Sequence, residues 1–155
     1  MTQLPLSTEW KGWMRLIDVN VLVYAYREDA PNHRAYRRWL EDCVGSDQAF
    51  GMADLVLSGF LRVVTHPRVF NPTSPLESAL RFAGELRSQP NCVPVVPGPR
   101  HWEIFVRLCR AAGIKGNLIP DAYLAALAIE SGSEWITADR DYSRFPGLRW
   151  RHPLD

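Results

Sequence analysis

Short apolar runs alternate along this chain with longer stretches whose apolar residues recur every three or four positions, and that alternation predicts its elements. "RLID" (15–18) is short and apolar, as a buried strand is, and "VNVLVYAYR" then changes to helical spacing. Residues 32–44 place Ala35, Tyr36, Trp39, Leu40 and Cys43 on one helical face and Arg34, Arg37, Arg38, Glu41 and Asp42 mostly elsewhere, with Gly45 as the stop. "QAFGMA" reads as a strand, and Asp54 as the cap of a helix whose Leu57, Phe60, Leu61 and Val64 keep the period. "HPRVFNPTS" is a loop. Ser74, Pro75 and Glu77 fall at the N-cap, first and third positions of the next helix, a capping box with Leu76, Ala79, Leu80, Ala83 and Leu86 aligned behind it. "NCVPVV" is a strand, and Trp102, Phe105, Val106, Cys109 and Ala112 mark a helix closed by Gly113. "PDAYLAALAIESG" is a helix ending at Gly132, and "EWIT" and "LRW" (148–150) are the last two strands. Strands alternating with helices predict an α/β fold, a parallel sheet covered on both faces.

Composition narrows this picture without naming a partner. A chain of 155 residues makes one domain and is long enough to bury a core without staples. Hydrophobic residues at 46%, charged residues at 23% and a net charge of +1 describe a globular chain rather than a disordered one. Its basic residues are sixteen arginines and two lysines, Lys11 and Lys115; arginine suits bidentate phosphate contacts, and genome composition accounts for the bias equally well. Cys43, Cys92 and Cys109 are odd in number and lack CxxC spacing, so the expected compartment is the reducing cytoplasm. No apolar run reaches the length of a membrane span. Residues 1–13, with Pro5 and Gly12 and no periodicity, read as an N-terminal extension to a domain over residues 14–155.

Candidate chemistry comes from three aspartates. In a parallel sheet, ligands sit beyond the carboxyl ends of the strands. Asp18 closes the first predicted strand, Asp139 in "EWITADRDY" follows the fourth, and Asp121 opens the helix that feeds that fourth strand. Taken singly, Asp18 reads as a helix cap, Asp121 as a favourable first-turn acid and Asp139 as a turn residue. Taken together at one sheet edge, they repel one another unless a cation compensates, and oxygen-only ligands favour Mg²⁺ or Mn²⁺ over zinc. Such a site suits phosphoester hydrolysis.

The stretches "LIDVNVLVYAY", "PDAYLAALAIESG" and "WITADRDYSRFPGLRW" resemble PIN-domain ribonucleases, specifically the VapC-type toxins of bacterial toxin–antitoxin pairs, over residues 15–150. The resemblance implies a three-layer α/β/α fold around a central parallel sheet of four or five strands. It implies that Asp18, Asp121 and Asp139 bind Mg²⁺ or Mn²⁺ and carry RNA cleavage, that Asp141 supports the site through water, and that Asn20 and Thr137 orient the first and last aspartates. It implies a cognate VapB-type antitoxin, a toxin homodimer and a structured RNA substrate such as a transfer RNA. One departure matters: relatives commonly carry a glutamate on the helix after the second strand, where "LSGFLRVVTHPRVF" has Gly59. Glycine inside a helix costs about 1 kcal/mol relative to alanine, which calls for a reason such as close packing. Asp54 would point to another face, and Ser58 is a weak substitute.

Candidate RNA contacts are Arg62 and Arg68 beside the site-facing helix and Arg140 and Arg144 beside the late aspartates, with a local ion pair or plain solvation as the competing reading for each. His66 reads as structural, and Trp39, Trp102 and Trp135 as packing residues. Two other classes compete with the enzyme. A haloacid-dehalogenase-like phosphatase needs a second aspartate two residues after Asp18, where this chain has Asn20. A catalytically weak or silent PIN-fold module that binds RNA or an antitoxin is compatible with Gly59.

Overall fold

The computed structural model describes residues 12–155, so all but the end of the extension lies outside the described residues. The elements run β1 (Arg15–Ile17), α1 (Val19–Tyr26), α2 (His33–Gly45), β2 (Phe50–Met52), α3 (Asp54–Val64), α4 (Leu76–Arg87), β3 (Cys92–Pro94), α5 (His101–Ala112), α6 (Ile119–Glu130), β4 (Glu134–Ile136) and β5 (Trp150–Arg151). Every strand pair is parallel, in the order β3-β2-β1-β4-β5, which is the layered α/β architecture the periodicity predicts. The central strands are apolar because both faces are covered: Leu16 and Ile17 of β1, Phe50 of β2, and Trp135 and Ile136 of β4 are fully buried. Small side chains let α6 lie close to its neighbours, with Ala122, Ala125, Ala126 and Ala128 inaccessible. Gly113, at φ 60°, closes α5 in the left-handed conformation its missing side chain permits. Among the described residues no helix is long and apolar enough to cross a membrane.

The chain order places a crevice. From β1 the path turns toward β2, and from β4 it turns toward β5 on the other side, so the carboxyl ends of these two adjacent strands form a topological switch point. Asp18 follows one of them and Asp139 the other.

Several local expectations are corrected. The capping box at Ser74 does not form: α4 starts at Leu76 with no side-chain cap, and the buried Ser74 hydroxyl accepts a hydrogen bond from Arg27 instead. Asp54 does not cap α3 but lies in its first turn and pairs with Arg87 at 2.9 Å. On α4 the buried face is Ala79, Ala83 and Leu86, while Leu76 and Leu80 stay 55% and 42% exposed. Trp102 is 69% exposed, because α5 turns His101, Ile104 and Leu108 to the core. The last strand begins at Trp150 rather than Leu148, since the chain reaches its pairing register with β4 only there.

Candidate active site

Asp18 caps a helix and also lines the candidate site. In extended conformation at the end of β1, it caps α1 by accepting the Val19 N–H at 2.6 Å. Its other carboxylate oxygen accepts the Thr137 hydroxyl at 2.6 Å and the Asn20 amide at 3.3 Å. Asn20 also donates to Thr137 and accepts from the Ala138 N–H at 3.1 Å, and Thr137 accepts the Asp139 N–H at 3.0 Å. Asn20 and Thr137 thus tie the ends of β1 and β4 together and hold the Asp18 carboxylate, while Thr137 meets Asp139 only at its backbone N–H.

Burial pushes the Asp18 carboxyl up from 3.8 to about 6, against the Thr137 and Val19 hydrogen bonds that pull it down, with Asp121 and Asp139 adding repulsion. A folded value above the unfolded one means that Asp18 favours folding at acid pH and opposes it as pH rises from about 4 through 6. The metal-free protein is therefore expected to lose up to about 3 kcal/mol of stability across that window from this group. Denaturation midpoints on either side of the window check this, and an Asp18→Asn variant with the same slope would refute the assignment.

Asp121 stands in the first turn of α6, half-buried, and accepts the Tyr142 hydroxyl at 3.2 Å. Burial raises its carboxyl, as do Asp139 and Asp141, while the Tyr142 hydrogen bond and Arg144 lower it. Asp139 caps a short 3₁₀ turn over Arg140–Arg144 by accepting the Asp141 N–H at 2.9 Å. Asp18, Asp121 and Asp139 all line one cavity of about 400 Å³, together with Asn20, Gly59 and Tyr142. Asp141 does not line it; this acid is exposed, 3.7 Å from Arg144, and its charge raises the Asp121 carboxyl. Tyr142 is the residue sequence reasoning passed over, although it is the aromatic in "TADRDY". Buried and hydrogen-bonded to Asp121, it keeps its proton because burial and the surrounding acids raise its pKa.

The donor chemistry fits a hard divalent cation, since three carboxylates from separate elements repel one another in one cavity and no histidine or cysteine lines it. The spacing does not match the expected convergence: among the described residues no three Asp, Glu, His or Cys side chains are placed to hold a metal ion. Each of the three carboxylates accepts a hydrogen bond from a protein donor of its own.

Gly59 lines this cavity. A Cβ there would stand 2.9 Å from the Val19 Cγ2, so glycine is what lets α3 cross α1 this closely. Val19 is β-branched and stiff, and cannot swing away. Gly59→Glu is expected to cost about 1–3 kcal/mol despite its better helix propensity. Adding Val19→Ala should recover much of that loss and lower the metal concentration needed for half-maximal cleavage. A well-folded double variant with unchanged metal dependence would show that a side chain at 59 does not reach the site.

The arginines divide. Arg62 lines the cavity and, like the exposed Arg68, forms no ion pair among the described residues. Arg140 is held by both carboxylate oxygens of Asp155 at 3.0 and 2.9 Å, and Arg144 donates to the Asp141 carbonyl at 2.9 Å, so both are already engaged. The His66 ring accepts the Arg68 N–H at 3.1 Å, a loop contact in keeping with a structural role.

Known proteins share this fold. The PIN-domain family model matches residues 15–148. Ribonuclease VapC43 of Mycobacterium tuberculosis is 48% identical over 143 residues, covering 92% of this chain and 97% of that protein. Ribonuclease VapC25 of the same organism is 42% identical over 140 residues, covering 90% and 99%. Among solved structures, VapBC2 from Rickettsia felis bound to a promoter DNA fragment superposes with a TM-score of 0.64 at 18% identity, covering 89% of this chain and 97% of that one. VapC20 of M. tuberculosis, titled a Sarcin-Ricin loop cleaving toxin, gives 0.60 at 14% identity, covering 87% and 98%. With a family model spanning nearly the whole described chain and relatives so similar over their full length, the chain belongs to the PIN-domain family, among the VapC ribonucleases.

Proposed function

We propose that this chain is a metal-dependent endoribonuclease toxin that cuts structured cellular RNA, a transfer RNA being the representative class, and is neutralised by a cognate VapB-type antitoxin. The observation that carries the reading is the meeting of Asp18, Asp121 and Asp139, from three separate elements, in one cavity at the sheet's switch point. Those three residues would hold Mg²⁺ or Mn²⁺, which when bound neutralises the acids, activates water and stabilises the leaving oxygen. Asn20 and Thr137 orient Asp18, Tyr142 orients Asp121 while keeping its own proton, and Arg62 offers a donor fork to a phosphate. The names of relatives and neighbours, VapC ribonucleases and VapBC pairs, support the toxin and antitoxin roles, and a homodimer and a cytoplasmic site of action belong to the same reading. Three free cysteines suit a reducing compartment.

Hydrolysis by an activated water does not use the RNA 2′-hydroxyl. Sequencing of RNA ends after brief expression should therefore reveal a small set of new ends without 2′,3′-cyclic phosphates. Cyclic phosphates at those ends would overturn the mechanism, and no new ends beside intact RNA binding would favour the silent module that Gly59 allows.

A further inference from the structure

The cavity holding the three acids is only half acidic. Its lining also includes Tyr24 from α1, Val63 from α3, and Val69 and Phe70 from the loop between α3 and α4. That loop is pinned by Arg27, whose side chain is only 11% exposed. Arg27 donates to both carboxylate oxygens of Asp29 at 2.8 and 2.6 Å and to the Ser74 hydroxyl at 3.1 Å, and its guanidinium lies 4.2 Å from the centre of the Phe70 ring. Arg27 does not itself line the cavity, so it backs the ring from outside and leaves Phe70 turned to the cavity. Val69, next to it, is 53% exposed.

A cavity lined by carboxylates, by an arginine that forms no ion pair among the described residues and by an aromatic ring backed by a guanidinium matches a ligand that is an anion joined to a flat apolar group. A nucleotide in RNA has that composition, and the cavity volume lies in the range of small-ligand sites. A base stacked in a duplex cannot turn its face to such a wall, whereas an unpaired base can stack on an aromatic side chain. An apolar anchor from a protein would leave the Arg62 guanidinium unmatched in the same cavity, which favours RNA as the occupant.

We propose that Phe70 and Val69, held by Arg27, receive the unstacked base next to the scissile phosphate, so that cutting requires an unpaired nucleotide at that position. The inference rests on the ribonuclease reading and assigns the base-recognising wall of the same site.

The test titrates a short unstructured RNA carrying 2-aminopurine, and the same RNA annealed to its complement, with Asp121→Asn protein in Mg²⁺ so that no cleavage intervenes. The single strand should bind with quenched fluorescence and the duplex should bind much more weakly. Phe70→Leu in that background should weaken single-strand binding by about 5- to 100-fold and abolish the quench, while Phe70→Tyr retains both. Val69→Ala, at an exposed position that does not endanger folding, should weaken binding to a smaller extent and serves as the second variant if Phe70→Leu melts early. Unchanged binding and quench in Phe70→Leu, or in Val69→Ala where that variant stands in, overturns the inference, as does equal binding of duplex and single strand. Loss of antitoxin binding with RNA binding intact in the same variants would assign the wall to a protein and also overturns it. Parent protein that binds neither RNA would overturn the ribonuclease reading itself, a failure distinguishable from that of the base wall alone.

Discussion

Asp121→Asn is expected to lower RNA cleavage by about 10²-fold or more while leaving the melting temperature close to that of the parent. The size follows from removing one of the three charges that would hold a divalent ion, whose contribution to a phosphoryl transition state is several kcal/mol. The stability expectation follows from the surroundings of Asp121: it is half-buried at the cavity edge, and the Asn side-chain carbonyl can still accept the Tyr142 hydroxyl. Cleavage assays paired with thermal melts separate the two effects. Full activity in a folded Asp121→Asn protein would remove Asp121 from the site, and with it the argument that the start of α6 delivers a functional carboxylate.

Chelation should abolish cleavage outright, with Mg²⁺ or Mn²⁺ restoring it. Zn²⁺ should restore it poorly, because the cavity presents oxygen donors and no histidine or cysteine. The same ion should raise the melting temperature of the metal-free protein, since binding to the folded state alone adds roughly 2.7 kcal/mol at a hundredfold excess over Kd. That rise should be largely lost in Asp121→Asn, which gives a readout independent of activity. Cleavage persisting without metal would overturn the mechanism. A protein that binds RNA but stays inactive with every ion would instead be the silent module.

Each carboxylate also satisfies a local demand of the backbone, as a helix cap, a first-turn acid or the cap of a turn. The site is built from residues the fold needs at those positions in any case. Function adds the coincidence of three of them at one edge and the burial that lifts the Asp18 carboxyl to about 6. At Gly59 the trade runs the other way. The close crossing with Val19 uses the space in which any side chain at 59 would stand.

The alternation of elements, the strand ends that carry Asp18 and Asp139, and the first-turn position of Asp121 were legible in the sequence alone. Each depends on a backbone period or a cap spanning a few neighbouring residues, and such information lies within a short window. The pairing partners were not legible in that way. Arg140 meets an acid fifteen residues away at Asp155, Tyr142 meets Asp121 across twenty-one residues, and Ser74 serves Arg27 rather than its own helix. Periodicity also shows which residues share a helix face without showing which face meets the core, which is why Leu76, Leu80 and Trp102 stand in solvent. The crossing distance between α1 and α3, the hydrogen bonds that engage the three carboxylates, and the guanidinium behind Phe70 were decided only by tertiary structure. They depend on how helices settle against the sheet and one another, a consequence of packing the whole core at once that no local pattern contains.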